Sequence, residues 1–185
     1  MRRIEIDLPE VALIEVPAFS DDRGFLMETH HQQKFAELGV ADTFVQDNHS
    51  RSQCGTLRGL HYQLRRPQAK LVRVAQGAVF DVAIDIREGS PTFARWYGCE
   101  LSEDNRLQLY VPAGFAHGFC VLSAAADVLY KCSEVYVPGD QYGIAWDDPQ
   151  LGIEWPFAQP LLSDRDAVLP RLEAARAAGE LPRFA

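Results

Sequence analysis

The chain has 185 residues, a formal net charge of −8 and a hydrophobic content of 47%. This length suits a single domain with a proper core, and the net charge argues against non-specific binding to nucleic acid or to an anionic membrane surface. No apolar run approaches the roughly 18 residues of a membrane helix, and no signal-type segment follows Met1. We therefore expect a cytoplasmic protein with neither nucleic acid nor a membrane as its partner.

Taken in chain order, the predicted elements are mostly short strands. A helix is predicted at 31–38, where Gly39 ends it. Period-two alternation predicts strands at 79–87, 106–111 and 127–137, and Gly, Pro and Asp turns separate the apolar runs. A second helix is predicted at 170–178. This pattern predicts an all-β sandwich or barrel with a few short helices, one of them C-terminal.

The predicted strands also assign side chains to faces. In 79–87, Phe80 and its even-numbered neighbours share an apolar face, and Asp81 lies on the polar face. In 127–137, Tyr130 and Tyr136 are predicted to share one face. The four cysteines form no C-x-x-C pair and lie in or beside apolar segments, so reduced thiols are expected.

A P-x-G-x-x-H motif runs from Pro112 to His117. It is the second signature of the cupin-type jelly roll, and it narrows the predicted fold to that class. Metal-binding cupins place H-x-H and a glutamate in the first signature, but this chain has His61 and Gln63 there, with no glutamate before Lys70. The ligand set for a divalent metal is therefore incomplete, and we expect no metal.

Basic residues interrupt strand-like sequence at Arg58, His61 and Lys70. Burying an unpaired charge costs several kcal/mol or shifts its pKa, so such a cluster indicates an anionic ligand or proton transfer. Histidine suits a base at neutral pH, and an ammonium group stabilises an enolate. Taken singly, Lys70, Tyr130 and Asp166 each also have a purely structural explanation.

The motifs together resemble the dTDP-4-dehydrorhamnose 3,5-epimerase family, over residues 4–172. The segments that show the resemblance are FSDDRGF (19–25), FVQDNHS (44–50), LRGLHYQ (57–63), KLVRV (70–74), SPTF (90–93), PAGFAHGF (112–119), YK (130–131) and LSDRD (162–166). The family implies a dimeric jelly roll without a cofactor that acts on a nucleotide-linked 4-keto-6-deoxyhexose. The expected unit is one domain over 1–185, in which 173–185 is a variable tail.

The resemblance also implies residue roles. His61 is expected to be the base and Asp166 its partner carboxylate. Lys70 is expected to stabilise the enolate, and Tyr130 to return a proton from the opposite face. The residues expected to bind substrate are Arg23 and Arg58 at the diphosphate, together with Phe19, Phe25, Glu28, Gln46, Asn48, Tyr136 and His117, the last oriented by Asp81. The region around Arg23 is expected to reach the neighbouring subunit of a homodimer.

Alternatives remain open at this stage. The nearest are an epimerase that inverts only C3 or C5 and a 3,4-ketoisomerase, both on the same class of substrate. A non-catalytic cupin that only binds sugar nucleotides is the alternative from a different class. Retention of His61, Lys70, Tyr130 and Asp166 together argues against mere binding, because binding alone would not require all four. A metal-dependent cupin oxygenase is a more distant alternative.

Overall fold

Two antiparallel sheets face each other in the computed structural model, which describes residues 1–184. The strands are β1 (Arg2–Ile4), β2 (Ala12–Glu15), β3 (Ala18–Asp21), β4 (Gly24–Met27), β5 (Gln46–Gln53), β6 (Leu57–Gln63), β7 (Lys70–Gln76), β8 (Ala78–Asp85), β9 (Trp96–Ser102), β10 (Leu107–Val111), β11 (Phe115–Val121), β12 (Ala125–Cys132) and β13 (Gln141–Gly143). The helices are α1 (Gln32–Glu37), α2 (Leu172–Ala177) and a 3-10 turn at Asp166–Val168. The predicted all-β class with short helices is confirmed.

The larger sheet has six strands in the order β1-β2-β10-β7-β12-β5, and the smaller has five in the order β13-β6-β11-β8-β9. Many spatial neighbours are distant in sequence, as in a jelly roll. The β3–β4 hairpin forms a separate two-stranded sheet. The two large sheets therefore provide the two walls of any central cavity.

The main core lies between the two sheets. Val72, Leu109 and Val128 contribute from the six-stranded sheet, and Ala83 and Val121 from the five-stranded sheet. Burial of such side chains stabilises the fold by about 1.5–3 kcal/mol each for the larger ones. One end of this interior is polar, and it holds the candidate site.

Strand β8 is buried on both faces, whereas its sequence pattern indicates burial of the apolar face alone. Phe80, Val82 and Ile84 pack on the outside of the five-stranded sheet, in a second core with Leu172 of α2. The opposite face, which includes Asp81, points into the barrel, where Asp81 is fully buried. The predicted division into two faces is therefore correct, but the polar face is internal.

The strand predicted at 127–137 is too long, because β12 ends at Cys132. Beyond it, the Ser133 amide still donates to the Ala69 carbonyl at 2.9 Å, but the amides of residues 135–137 donate to side chains. The Tyr136 amide donates to Gln46 Oε1 at 2.8 Å, and the Val137 amide donates to Gln63 Oε1 at 2.8 Å. Tyr130 and Tyr136 therefore do not share a strand face, although they line one cavity.

The C-terminal segment packs on the outer face of the five-stranded sheet. Leu181 is buried, and the Tyr62 hydroxyl donates to the Glu180 carbonyl at 2.9 Å. The Glu88 amide donates to the Pro182 carbonyl at 2.8 Å. Variability of 173–185 among relatives stays a prediction, but up to residue 184 the segment covers the back of the strands that line the cavity. Within residues 1–184, no helix has the length and apolar character needed to cross a bilayer.

Candidate active site

Side chains from both sheets meet at one end of the barrel. Two adjoining cavities, of about 280 and 290 Å³, share His61, Lys70, Tyr130 and Gln141 in their walls. His61 lies on β6 of the five-stranded sheet, whereas Lys70 on β7 and Tyr130 on β12 belong to the six-stranded sheet. A molecule in this space is therefore contacted from two opposite walls.

His61 and Asp166 form a close pair although they are far apart in sequence. Their Nε2 and Oδ1 atoms are 2.6 Å apart. Burial would raise the pKa of the Asp166 carboxyl, but its bonds to His61, Gly59 and Ser163 hold that pKa below the ordinary value. An ionised carboxylate only accepts hydrogen bonds, so His61 Nε2 carries the proton and donates it. This tautomer leaves Nδ1 of His61 able to accept a proton.

The protonation state of His61 suits a base. Burial lowers the pKa of His61, and this effect outweighs the hydrogen bond and negative charge of Asp166, which raise it. The imidazole is therefore neutral near pH 7. Its side chain is 22% exposed, so it remains accessible from the cavity.

The backbones of β6 and β11 approach each other closely beside Asp166. Gly59 has a φ of +134°, and a Cβ built there would lie 2.6 Å from Gly118 Cα on neighbouring β11. Only glycine fits this position, because a side chain would both strain the backbone and push the strands apart. The Gly59 amide faces Asp166 Oδ2 at 3.5 Å.

Lys70 supplies a cation with little local compensation. Its Nζ is 3.5 Å from the His61 carbonyl oxygen, which is a long hydrogen bond. Burial lowers the pKa of Lys70, and nearby Cys132 and Asp81 oppose this effect only in part. A weakly solvated ammonium group is well placed to stabilise negative charge that develops in the cavity.

Tyr130 presents its phenol from the opposite wall to His61. Burial raises the pKa of Tyr130, and the positive charge of Arg58 partly opposes this effect. The phenol therefore keeps its proton at neutral pH. A general acid has to be in that state before it acts.

A second histidine–carboxylate pair lies beside the first. His117 on β11 is the register partner of His61 on β6, and its Nε2 lies 2.9 and 3.0 Å from the two oxygens of Asp81. His117 and Asp81 are both buried. The structure thus places His117 in the cavity wall and Asp81 in position to orient it, as the sequence predicts.

The sequence reasoning missed several polar residues at the end of the cavity beside Arg58. Arg165 donates to the Gln141 side chain at 2.9 Å and to the Gln141 carbonyl at 2.6 Å. Arg165 and Arg58 line the same cavity, and Arg58 Nε donates to Ser52 Oγ at 3.0 Å. Arg165 directly precedes Asp166, so the motif that revealed the carboxylate was the available signal for it. Two further hydroxyl residues, Ser50 and Ser163, line this end.

The remaining predicted residues divide into two groups. Gln46, Asn48 and Tyr136 line the cavity. Four others lie on or just after the β3–β4 hairpin and are absent from its walls, namely Phe19, Arg23, Phe25 and Glu28.

The hairpin residues are exposed or make their contacts outside the cavity. The Arg23 side chain is 89% exposed and, within residues 1–184, bonds only Asp21 beside it, while Phe19 is 70% exposed. Phe25 is 59% exposed and lies against the Arg106 guanidinium at 4.7 Å, and Glu28 pairs with Lys34 at 2.7 Å.

Comparison with known proteins settles the family. The family model described as dTDP-4-dehydrorhamnose 3,5-epimerase matches residues 5–174. The chain belongs to this epimerase family. A relative of that name from Salmonella typhimurium is 51% identical over 175 residues, which are 93% of this chain and 96% of that protein.

Other epimerases of the family extend the comparison. A relative from Neisseria gonorrhoeae is 55% identical over 164 residues, or 88% of this chain, and the match spans only 50% of that longer protein. The crystal structure of dTDP-6-deoxy-D-glucose-3,5-epimerase from Legionella pneumophila, in complex with dTDP-4-keto-L-rhamnose, superposes with a TM-score of 0.96 at 49% identity. That match covers 100% of this chain and 98% of the other.

Proposed function

We propose that the protein converts dTDP-4-dehydro-6-deoxy-D-glucose to dTDP-4-dehydro-L-rhamnose by inverting C3 and C5. One observation carries the proposal. A neutral histidine, bonded to Asp166 at 2.6 Å, faces a cavity that Lys70 and Tyr130 line from the opposite sheet. These are the groups that removal and return of a proton beside a ketone require.

The first step removes a proton from the carbon next to the 4-keto group. Nδ1 of His61 takes the proton, the C–H electron pair forms the enolate double bond, and the carbonyl electrons move to oxygen. Asp166 stabilises the imidazolium that forms, because its carboxylate accepts the Nε2–H bond. The ammonium group of Lys70 meets the new negative charge on the enolate oxygen, and without such a cation the proton is too weakly acidic for histidine.

The second step returns a proton to the other face of the same carbon. Tyr130 extends from the six-stranded sheet and His61 from the five-stranded sheet, so a sugar between them meets an acid and a base on opposite sides. Donation from the phenol protonates the enolate carbon and restores the ketone. His61 then releases its proton to solvent and Tyr130 takes one from solvent, which restores both groups. Repetition at the second carbon adjacent to the ketone inverts both centres.

The nucleotide end of the substrate is assigned to the basic end of the cavity. Arg58 and Arg165 suit a diphosphate, because one guanidinium group can donate two parallel hydrogen bonds to two phosphate oxygens. They give a local anion site to a chain whose net charge is −8. Gln46, Asn48 and Tyr136 line the adjoining cavity and would help to hold the nucleotide and sugar.

We infer a homodimer in which each hairpin completes the site of the other subunit. The support is the exposure of Phe19, Arg23 and Phe25, since a cluster of exposed aromatic residues on a strand pair is typical of an interface. Arg23 would then join Arg58 at the diphosphate. We also infer a cytoplasmic location, which the four free cysteines support.

Deuterium incorporation tests the proposed reaction. The protein is incubated with dTDP-4-keto-6-deoxyglucose in D2O, and deuterium at C3 and C5 is followed by NMR. Exchange at both carbons, with an L-sugar recovered after a coupled reductase, is the expected result. Exchange at one carbon would identify a single-centre epimerase, and absence of exchange would rule out both epimerase activities.

A further inference from the structure

The side-chain amide of Gln63 bonds to the chain through both of its hydrogens and its oxygen. Gln63 is buried, and its Nε2 donates to the Arg66 carbonyl at 2.8 Å and to the Val135 carbonyl at 3.2 Å. Its Oε1 accepts a hydrogen bond from the Val137 amide at 2.8 Å. Although Gln63 lies at the cavity wall, these three bonds use both amide hydrogens and one of the two acceptor positions of the oxygen.

Two of these bonds flank Tyr136. Val135 and Val137 are its immediate chain neighbours, and the Tyr136 amide itself donates to Gln46 Oε1 at 2.8 Å. Gln46 belongs to the six-stranded sheet and Gln63 to the five-stranded sheet. The connection from β12 to β13 crosses between the sheets at this point, and a glutamine from each sheet fixes its backbone.

These hydrogen bonds hold the backbone in place at Tyr136, where the connection is not paired with a neighbouring strand. The Tyr136 residue is 47% exposed and lines the cavity next to Gln46 and Gln141. A side chain on an untethered connection would lose conformational entropy each time it closed on a ligand, and that loss would weaken binding. Tethering on both sides of Tyr136 removes most of that cost beforehand.

We propose that Gln63 is a positioning residue that binds no substrate itself and holds Tyr136 at the cavity rim for nucleotide-sugar binding. This proposal rests on the proposed function, because it takes Tyr136 as a substrate-binding residue. It also assigns a role to Gln63 at the position where metal-binding cupins have their second histidine. The amide at that position stabilises the cavity wall.

A double-mutant cycle tests the proposal. The Kd for dTDP by calorimetry and the steady-state constants are measured for wild type, Gln63→Met, Tyr136→Ala and the double variant. Methionine matches the length of glutamine but makes none of its hydrogen bonds. We expect Gln63→Met to raise Kd and KM about tenfold and to change kcat less than about twofold, and to have no further effect once Tyr136 is alanine.

Two further variants guard against a trivial loss of stability. Tyr110→Phe removes a different, partly buried hydrogen bond, from the Tyr110 hydroxyl to Asp42 Oδ2 at 2.5 Å, and should leave the Kd for dTDP unchanged. Gln63→Glu keeps the acceptor for the Val137 amide but loses both donated bonds. It should show the same coupling to Tyr136, and it replaces the methionine variant in the cycle if that variant does not fold.

The outcomes separate this proposal from the proposed function. Independent effects of Gln63→Met and Tyr136→Ala, which multiply in the double variant, would overturn the positioning role. A fall in kcat without a change in KM, or a Tyr136→Ala variant with wild-type affinity, would overturn it too. If the wild-type protein binds no dTDP and turns over no substrate, the proposed function itself fails, and this inference with it.

Discussion

The cavity between the sheets and the β3–β4 hairpin both hold residues that the sequence assigns to substrate, but only the cavity is assembled within one chain. His61, Lys70, Tyr130 and Asp166 converge from distant parts of the sequence. Arg23, by contrast, lies on a strand turn with its side chain 89% exposed. We assign a different task to each region. The cavity carries out proton transfer, which needs groups fixed to a fraction of an ångström. The hairpin contributes to substrate binding, part of which can come from a second copy of the chain.

The two regions also differ in their energetics. A buried ammonium group such as that of Lys70 costs stability, which the surrounding core has to offset. In the hairpin the unfavourable feature is exposed apolar surface, because Phe19 and Phe25 are in contact with solvent unless another molecule covers them. We therefore expect substitutions of His61, Lys70, Tyr130 or Asp166 to affect chemistry, and substitutions in the hairpin to affect affinity and assembly.

The largest expected effect is on the cavity side. His61→Ala should abolish deuterium exchange at both carbons, a loss of about 10²–10⁴-fold in kcat, because one base serves both centres. The measurement is the NMR exchange assay on purified, folded variant. His49→Ala is a matched control, because His49 is mostly exposed and pairs with Asp127 away from the cavity, and it should retain wild-type exchange. Residual exchange near the wild-type rate in His61→Ala would remove His61 from the mechanism.

An intermediate effect is expected in the hairpin. Arg23→Ala should raise KM by about 10–100-fold with little change in kcat, because it removes a charged hydrogen-bond donor to the diphosphate. Steady-state kinetics with the same substrate measures the change. An unchanged KM would place the hairpin outside the site.

Mixing variants sharpens this comparison. Dimers are dissociated and allowed to re-form from equal amounts of Arg23→Ala and His61→Ala chains. If each hairpin completes the site of the other subunit, half of the dimers are heterodimers, and each heterodimer has one intact site. About a quarter of all sites should then recover wild-type turnover at low substrate concentration. No recovery in mixtures shown to contain heterodimers would mean that Arg23 serves its own chain.

The smallest effect is on stability. Lys70→Met should eliminate activity but raise Tm by about 2–4 °C near pH 7, as a gain of about 1 kcal/mol does in a chain of this size. The physical reason is that burial lowers the folded-state pKa of Lys70 below the ordinary 10.5. At pH values below that lowered pKa, folding has to bury the charged form at a cost.

The same linkage gives the direction of the pH dependence. As pH rises through the window between the lowered pKa and 10.5, the folded state loses the proton first and the cost disappears. The Tm advantage of Lys70→Met should therefore shrink toward high pH in a calorimetric pH series. A constant advantage across that range would show that packing, and not charge burial, explains it.

The sequence predicted the regular parts of the fold because alternation reports burial directly. Strands β8 and β10 lie within one or two residues of the predicted bounds at each end. The end of β12 could not be predicted, since residues 133–137 keep strand-like composition while the amides of Tyr136 and Val137 donate to the side chains of Gln46 and Gln63. Those partners are distant in sequence, and no local pattern reports them.

The candidate site shows the same division. The residues of the basic cluster were recognisable because charge within a strand pattern is costly and therefore informative. Arg165 and Gln141 were missed, because polar residues in connections and short edge strands are common and their pairing depends on tertiary structure. The exposure of Arg23 likewise became visible only with the fold, and with it the basis for assigning the hairpin to a second subunit.

The most direct test of an acid and a base on opposite walls is Tyr130→Phe in D2O. If the sugar lies between His61 and Tyr130, the variant still removes and returns protons on the His61 side. Deuterium should then exchange at C3 and C5 while inversion falls by about 10²–10⁴-fold. Inversion at the wild-type rate, or loss of exchange together with inversion in a folded variant, would contradict the assignment of Tyr130 as the acid on the opposite face.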